Sequence, residues 1–575
     1  MFIRWEIMPK ITADFVNRQV GYGKIILQLL ANRNLTDRQK IEQFFNLDYK
    51  RQLLDPSLFA NMDEAIKLII KHIKNKNKIV VYGDYDADGV TATALLYEIL
   101  KTLKAKVSVY IPHRVSEGYG LNKKAVDELA QAKVKLIITV DTGIRNQAEV
   151  AYVKSAGLEV IITDHHTAPA GKDLPDCLII NPMMGDYPTK SLAGVGVGFK
   201  LAKGLLNRAK LTEENKKNLE ESVLDLVAIG TVADCVSLLG ENRVLVAEGL
   251  KIINRNTRLG LDELLKVAQI KTNGEKPINS WNIGWQIAPR LNSAGRLDHA
   301  NTAFELLVTK NEYEAKQIAE KLNQANNKRQ KLTDEIFAFC EKVINREILN
   351  EKILILVSPD GLGANNHWSE GVIGLVAGRL CDKYSRPAVV ITQSGEEVKG
   401  SGRSIEEFNI IDALEQTRKY LSRFGGHARA GGFTLKSKKD LVNFSKEMKK
   451  IAERTLKQVD LSPKLMIEVE LALSEVNDQL INDLSKFEPF GEDNPRPKFM
   501  SRNLPIRDKV IMGLNGQHIK FRVGNFWAVA FSQAEQWQEL RIGDKVNMVY
   551  YLEFNQFNGR SEIQLKIVDI KTCNT

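Results

Sequence analysis

The stretch Ile79-Val80-Val81-Tyr82-Gly83-Asp84-Tyr85-Asp86-Ala87-Asp88-Gly89 runs from a short β-branched apolar segment into a cluster of acids and then into a helical pattern. Four more apolar runs follow, Val107–Ile111, Leu136–Val140, Val160–Ile162 and Cys177–Ile180, with helix-like stretches such as Thr93–Leu103 and Lys123–Gln131 between them. Val/Ile-rich runs alternating with helices predict a parallel sheet covered on both faces. Open parallel sheets place their ligands outside the carboxyl ends of the strands. The acids fall there. The run at 136–140 leads into Asp141-Thr142-Gly143, and the one at 160–162 leads through Thr163 into Asp164-His165-His166.

Asp84 and Asp86 alternate, so an extended backbone places them on one face with Tyr85 opposite. Clustered carboxylates raise one another's pKa unless a cation neutralises them. Carboxylates with one or two imidazoles suit Mn²⁺ or Mg²⁺, and a second ion gives the two-metal arrangement that serves phosphoester hydrolysis. A lone Asp after a strand is ordinarily a helix cap or turn residue, and Asp141 by itself has that reading too. An EF-hand is excluded, because Leu95 stands where such a loop needs its closing Glu. Three converging acidic strand ends, one with paired histidines, favour the metal site.

The 575 residues carry 81 Lys+Arg against 71 Asp+Glu, a net charge of +10, with 43% hydrophobic residues. At ~100–200 residues per domain, that length implies roughly three to five domains. The basic excess favours a polyanionic partner, although a solvated Lys-rich surface produces the same total. Cys177, Cys235, Cys340, Cys381 and Cys573 form no CxxC pair. A disulfide framework and a zinc knuckle are therefore not expected, and a reducing cytoplasm is. The start, MFIRWEIMPK, lacks a signal-peptide apolar core, and no uncharged run of ~18 residues exists to cross a membrane.

The expected organisation is a helical N-terminal segment (1–70), a catalytic domain (71–310), a connecting helix (311–350), a second α/β lobe (351–458) and a C-terminal β-barrel (459–575). The connector shows Ile318, Leu322, Leu332, Ile336, Cys340 and Val343 at helical spacing. The second lobe reads as a strand at Lys352–Val357, helices at 371–384 and near 410–422, and a strand at Ala388–Thr392. Short strands at His518–Val523, Trp527–Phe531, Lys545–Phe554 and Ile563–Ile570 indicate the barrel. At least half of Phe521, Phe526, Trp527, Tyr550, Tyr551 and Phe554 should be buried in it. Gly194-Val-Gly-Val-Gly198 is read as tight packing or close approach of chain to substrate, and Asn323, Asn326, Lys328 and Arg329 as a solvated helix face or, as the alternative, a set of phosphate contacts.

Gly83–Gly89 with Asp164-His165-His166 resembles the DHH phosphoesterase superfamily. The blocks Ile111–Leu121, Gly230–Asp234, Ala288–Leu297, Gly371–Gly374, Gly400–Ser404, Phe424–His427 and Pro489–Pro495 narrow the resemblance to the RecJ-type family of single-strand-specific 5′→3′ DNA exonucleases. It covers about residues 50–575. The implied fold is α/β: a parallel-sheet DHH lobe, a long helix, a DHHA1-like lobe and an OB-type barrel. The resemblance implies that Asp84 binds one ion, that Asp86, His165 and Asp234 bind the other, and that Asp141 bridges. His166 is implied to touch substrate phosphate, and His427 to face the metals from the second lobe. Arg114, Arg290, Asn292, Ser401 and Arg403 are implied to hold the 5′-phosphate or nearby backbone. Asp164 would fix the histidines, and Asp88 is either a further ligand or a helix-starting turn residue.

Two departures stand out. Val80 replaces a His found in many smaller relatives, which leaves the first ion fewer ligands, and Ser369 stands where many relatives have His. The implied activity is Mn²⁺- or Mg²⁺-dependent release of 5′-mononucleotides from single-stranded DNA in repair and recombination. The implied setting is a cytoplasmic monomer without membrane attachment, with a helicase and a single-strand-binding protein as further partners. Two rivals remain: a phosphodiesterase acting on short oligonucleotides or cyclic dinucleotides, and an inactive single-strand-binding replication scaffold. Chain length and the barrel weigh against the first, and the complete acid set against the second.

Overall fold

The structure is a computed structural model that describes residues 3–573 except 20, 115, 170–172, 256–257, 271–276, 360–367, 395–396 and 558–559. Val115, in the block 111–121, therefore lies outside the described residues. The chain opens with β1 (Arg4–Ile7). The first lobe then contributes β2 (Lys78–Gly83), β3 (Lys106–Tyr110), β4 (Val134–Val140), β5 (Glu159–Thr163) and β6 (Leu178–Ile180). These five are all parallel, in the order β3-β2-β4-β5-β6.

The unbroken apolar strands follow from burial on both faces. Ile79, Val81, Leu136, Ile138 and Ile161 face one core, with the helices Ala87–Thr102, Gly194–Arg208 and Leu224–Ala233. Val80, Tyr82, Ile137 and Ile162 face the other, with the helices Lys123–Gln131 and Gln147–Ser155. Register then places the chemistry. Gly83 pairs with Val140, and Val140 with Thr163, so Asp84, Asp141 and Asp164 leave three neighbouring strands at one level.

The connector is a 32-residue helix, Glu312–Val343, followed by a separate short helix, Arg346–Asn350, whose N-cap is Asn345. The second lobe holds β7 (Leu354–Val357), β8 (Ala388–Ser394), β9 (Glu397–Arg403), β10 (Leu421–His427) and β11 (Ala430–Leu435), in the order β10-β11-β9-β8-β7. Only β7 and β8 run parallel. The helix expected near 410–422 stops at Gln416, and β10 begins at Leu421. Gly425 and Gly426, the latter at φ 139°, are poor helix formers and suit the pairing with β11.

The last region holds β12 (Lys464–Ile467), β13 (Val469–Glu470), β14 (Phe499–Met512), β15 (His518–Val523), β16 (Phe526–Ala530), β17 (Lys545–Phe557) and β18 (Arg560–Thr572). A β14–β17 pairing closes β14-β15-β16-β18-β17 into a five-stranded barrel. Only Phe521 and Tyr550 of the six aromatics considered above are buried. Basic side chains cover others from outside: Lys520 lies 4.3 Å from the Trp527 ring, and Arg496 lies 5.0 Å from that of Tyr551.

The N-terminal segment is not a helical leader to the first lobe. β1 pairs in parallel with β12, and Phe15, Leu27, Leu30, Ile41 and Phe44 share the barrel's core. From about Tyr49 onward the segment packs on the first lobe: Tyr49, Leu53 and Leu54 lie against its core, Lys200 and Glu241 hold the Leu54 backbone, and Phe59 and the helix Met62–Lys74 follow. Two buried arginines clamp the junction. Arg243, from the first lobe, donates to the carbonyls of Phe44, Lys486 and Phe487 and lies 3.9 Å from the Phe44 ring. Arg33 donates to Asn494, Pro495 and Glu468 and lies over Phe487. No helix among the described residues is long and apolar enough to cross a membrane.

Arg243→Ala takes the guanidinium from the carbonyls of Phe44 and Lys486, leaves Phe487 O with Asn494 as its donor, and opens a cavity beside Phe44. It should destabilise the protein by about 3 kcal/mol or more, read as a drop in Tm. Arg208→Ala, which removes a surface ion pair with Asp63, should stay within about 0.5 kcal/mol.

Candidate metal centre and phosphate track

Each acid of the opening motif has a different fate. Asp86 is the N-cap of the helix Ala87–Thr102, its Oδ1 accepting from the amides of Asp88 and Gly89, which leaves one oxygen for the cleft. Asp88 is buried and accepts from the backbone amides of Gly194 and Val195 at 2.6 and 2.8 Å. It therefore anchors the start of the Gly194–Arg208 helix, and burial, followed by the charge of Asp86, pushes its pKa up to about 7. Asp84 is buried with Oδ1 unpartnered. Gly89 is required beside it, since a Cβ there would lie 2.7 Å from the Asp84 carbonyl oxygen.

Asp141 sits in the left-handed region at φ 59°, immediately beyond β4. Gly194 packs against its side chain, and a Cβ at Gly194 would lie 2.5 Å from that of Asp141. The glycine-rich stretch thus serves both close packing and amide donation to Asp88. Beyond β5, Asp164 accepts at Oδ1 from the amides of His165 and His166 and from Nδ1 of His166, and at Oδ2 from the amide of Ile144. Burial opposes its ionisation, but these donors hold it below the usual carboxylate range. Asp164 in turn raises the pKa of His166 against the effect of burial, and it fixes Nδ1 as the protonated nitrogen.

The remaining groups converge. Ligand atoms of Asp84, Asp86 and Asp141 lie within 4.8 Å of one another, as do those of Asp141, His165 and His166, and those of Asp88, His165 and Asp234. Asp141 belongs to two of these groups. Asp86 falls beside Asp84 rather than with His165 and Asp234, because its capping bonds hold it at the helix start. His165 Nε2 lies 3.1 Å from Asp141 Oδ1 and 3.5 Å from Asp234 Oδ2. Burial, with His166 beside it, lowers the His165 pKa to about 4, so the ring is neutral and able to donate a lone pair. Burial, and then mutual repulsion, raises Asp84, Asp141 and Asp234 well above the carboxylate range.

Asp84 Oδ1, Asp141 Oδ1 and His165 Nε2 are all buried without a hydrogen-bond partner. Buried polar atoms rarely remain so, and a hard divalent cation is the partner that this set of oxygens and imidazole fits.

Arginines surround the acids. Arg114 lies over the Tyr85 ring at 4.7 Å. Arg403, on β9, donates to its neighbours Gly402 O and Ser401 Oγ. Arg290 donates to Gln286 O and Asn323 Oδ1. Asn292 accepts from the Ala87 amide at 2.7 Å, steadying the turn that carries Asp86. His427, at the end of β10, stacks on His166 with centroids 5.3 Å apart and an interplanar angle of 13°, so the second lobe reaches the cleft.

Sequence reasoning missed Arg296 and Tyr119 and ranked Arg329 first as a solvated residue, with phosphate contact as its alternative. Arg296 is recessed without a carboxylate partner, and Arg114, Arg403 and Arg329 are close enough to add to the effect of burial in lowering its pKa. Arg329, assigned to a solvated face, is half-buried with Nε unpartnered and is held by the buried Asn326. Tyr119 donates to Asp141 O and lies edge-on to His166. Arg296 and Tyr119 lie inside the quoted blocks, so their motif membership was the available signal.

The comparisons agree with this layout. The model described as DHH family, N-terminal domain matches residues 78–231, that of the DHHA1 domain matches 350–454, and that of the RecJ OB domain matches 467–569. Fold and site define a DHH-family protein with a DHHA1 lobe and an OB barrel. The single-stranded-DNA-specific exonuclease RecJ of Bacillus subtilis is 35% identical over 578 residues, covering 99% of this chain and 70% of its own length. The Escherichia coli protein of the same name is 31% identical, with 95% of each chain covered. The chain belongs to the RecJ family. The crystal structure of RecJ with Mn²⁺ from Thermus thermophilus superposes with a TM-score of 0.82 at 28% identity, covering 99% of this chain and 79% of that one.

Asp141→Asn removes one of the repelling charges. In the metal-free protein, acids with raised pKa hold protons that the unfolded chain releases, so stability falls as pH rises past the usual carboxylate range. At neutral pH the metal-free variant should therefore melt above the metal-free wild type. Mn²⁺ should raise the wild-type Tm, by about 2.7 kcal/mol of stabilisation at a hundredfold excess over Kd, and should raise that of the variant far less.

Proposed function

We propose that this protein is a Mn²⁺- or Mg²⁺-dependent exonuclease that removes 5′-mononucleotides from single-stranded DNA in the 5′→3′ direction, in repair and recombination. The observation that carries the reading is the juxtaposition of the Asp84, Asp141 and His165 atoms, unpartnered among the described residues, with arginines that make no ion pair among them. Asp84, Asp86, Asp141, His165 and Asp234 hold the cations. Bound there, the ions supply Lewis-acid polarisation of the scissile phosphate and an activated water.

The chain's own residues do the rest. Arg114, Arg403 and Ser401, joined by Arg296, hold the 5′-phosphate through charge-assisted donors. Arg290 and the free amide nitrogen of Asn292 hold the following backbone. His166, whose Nδ1–H is held by Asp164 and whose pKa Asp164 raises, meets the phosphate oxygens as an imidazolium donating from Nε2–H, and His427 closes the cleft from the second lobe. The divisions 71–310, 311–350, 351–458 and 459–575 correspond to metal lobe, connector, 5′-end lobe and strand-binding barrel. A cytoplasmic monomer working with a helicase and a single-strand-binding protein is the setting that we infer.

Digestion of 5′- and 3′-labelled single and double strands with Mn²⁺ or Mg²⁺ tests the reading. Release of 5′-label as mononucleotide from single strands alone is expected, and 3′-first release would overturn it. Asp84→Ala should lower kcat by at least about 100-fold. Arg403→Ala should raise KM about tenfold for a 5′-phosphorylated strand and less for a 5′-hydroxyl strand.

A further inference from the structure

Trp281 and Trp285 are 58% and 69% exposed, the most exposed of the six tryptophans. They lie four residues apart at a local irregularity, where the short helix Ser280–Asn282 runs into a π-helical turn, Ile283–Ile287. Such turns are rare and concentrate at functional sites. Here the widened turn bonds the Ala288 amide to Ile283 O, and Pro289, which has no N–H, follows it. The Gln286 carbonyl is taken by Arg290 at 2.7 Å, and the Gln286 side chain by Asn282 at 2.8 Å.

The turn has a defined back and front. Ile283 and Ile287 are buried, and Gly284 backs onto Val232, two residues before Asp234. Ser280 Oγ donates to Phe490 O at 2.5 Å, which ties the turn to the segment leading into the barrel. The indoles therefore project from a rigid support between the metal lobe and the barrel. The support also carries Arg290, which acts on the charge of Arg329, as Arg329 does on Arg296. Among the described residues none of these three arginines makes an ion pair; Asp334 and Asp86 act on Arg329 and Arg296 from further away.

We propose that Trp281 and Trp285 form a base-stacking platform that receives consecutive bases of the single strand between the metal centre and the barrel. Unpaired bases offer apolar faces and phosphates at regular intervals, which matches exposed indoles on a turn whose Gln286 carbonyl is held by Arg290. Stacking is indifferent to base identity, as a nuclease consuming any sequence requires. This inference rests on the single-strand nuclease reading and adds where the strand leaves the cleft.

The test is titration of the full chain with a long oligodeoxythymidine in EDTA, following tryptophan fluorescence and Kd. The wild type should show quenching. Trp281→Phe/Trp285→Phe should keep Kd within about threefold, because phenyl rings also stack, while losing most of the quenching. Trp281→Ala/Trp285→Ala, at wild-type Tm, should lose the quenching and bind at least about tenfold more weakly. Wild-type Kd in the alanine variant, or full quenching in the phenylalanine variant, would overturn the platform. A wild type that does not bind the oligonucleotide in EDTA and does not digest it when Mn²⁺ replaces the EDTA would instead overturn the nuclease reading.

Discussion

Several carboxylates are brought close together in a nearly dry cleft, and the rest of the structure answers their repulsion. An uncompensated buried carboxylate costs several kcal/mol even after relaxation. The fold answers differently at each position. Asp88 is met by two amides at the start of a helix, Asp86 by two amides at the start of another, and Asp164 by three amides and an imidazole. Asp84 and Asp141 keep unmet oxygens. Strand register decides which acids these are, because it sets three strand ends level.

The arginines divide in the same way. Arg33, Arg243 and Arg258 have buried, well-partnered side chains: Arg258, for instance, engages Asp225, Glu98 and two carbonyls. They hold helices and the barrel in place. Arg114, Arg296, Arg329 and Arg403 make no ion pair among the described residues, and burial with the neighbouring guanidinium charges lowers the pKa of Arg296 and Arg403. The same side chain is structural where carbonyls and acids close around it, and available for substrate where they do not.

Much of the architecture was legible because it depends on local chemistry. The two-faced burial of β2 and β4 is written in Ile79–Tyr82 and Leu136–Val140, and an acid directly after a strand needs no tertiary knowledge to be noticed. What escaped depends on distant partners. Nothing near Arg4–Ile7 signals a neighbour at Lys464–Ile467, and Arg243 looks like any surface arginine until Phe487 is placed beside it. Arg329 lies on a helix with polar residues on every side, and only the approach of Arg290 and Arg296 makes it part of a track. The barrel aromatics were misjudged because strand alternation cannot reveal that Lys520, Arg522 and Arg496 cover them.

The β1–β12 pairing joins residues about 460 positions apart, and this has a consequence for how the protein is made. At about 5–20 residues per second, the partner of β1 leaves the ribosome roughly 25–90 s after β1 itself. During that interval Leu27, Leu30, Ile41 and Phe44 have no barrel to bury them, while the metal lobe can already close. The newborn chain thus carries a sticky amphipathic head that must be shielded until its tail arrives. The barrel thus completes the fold of a segment synthesised about 460 residues before β12.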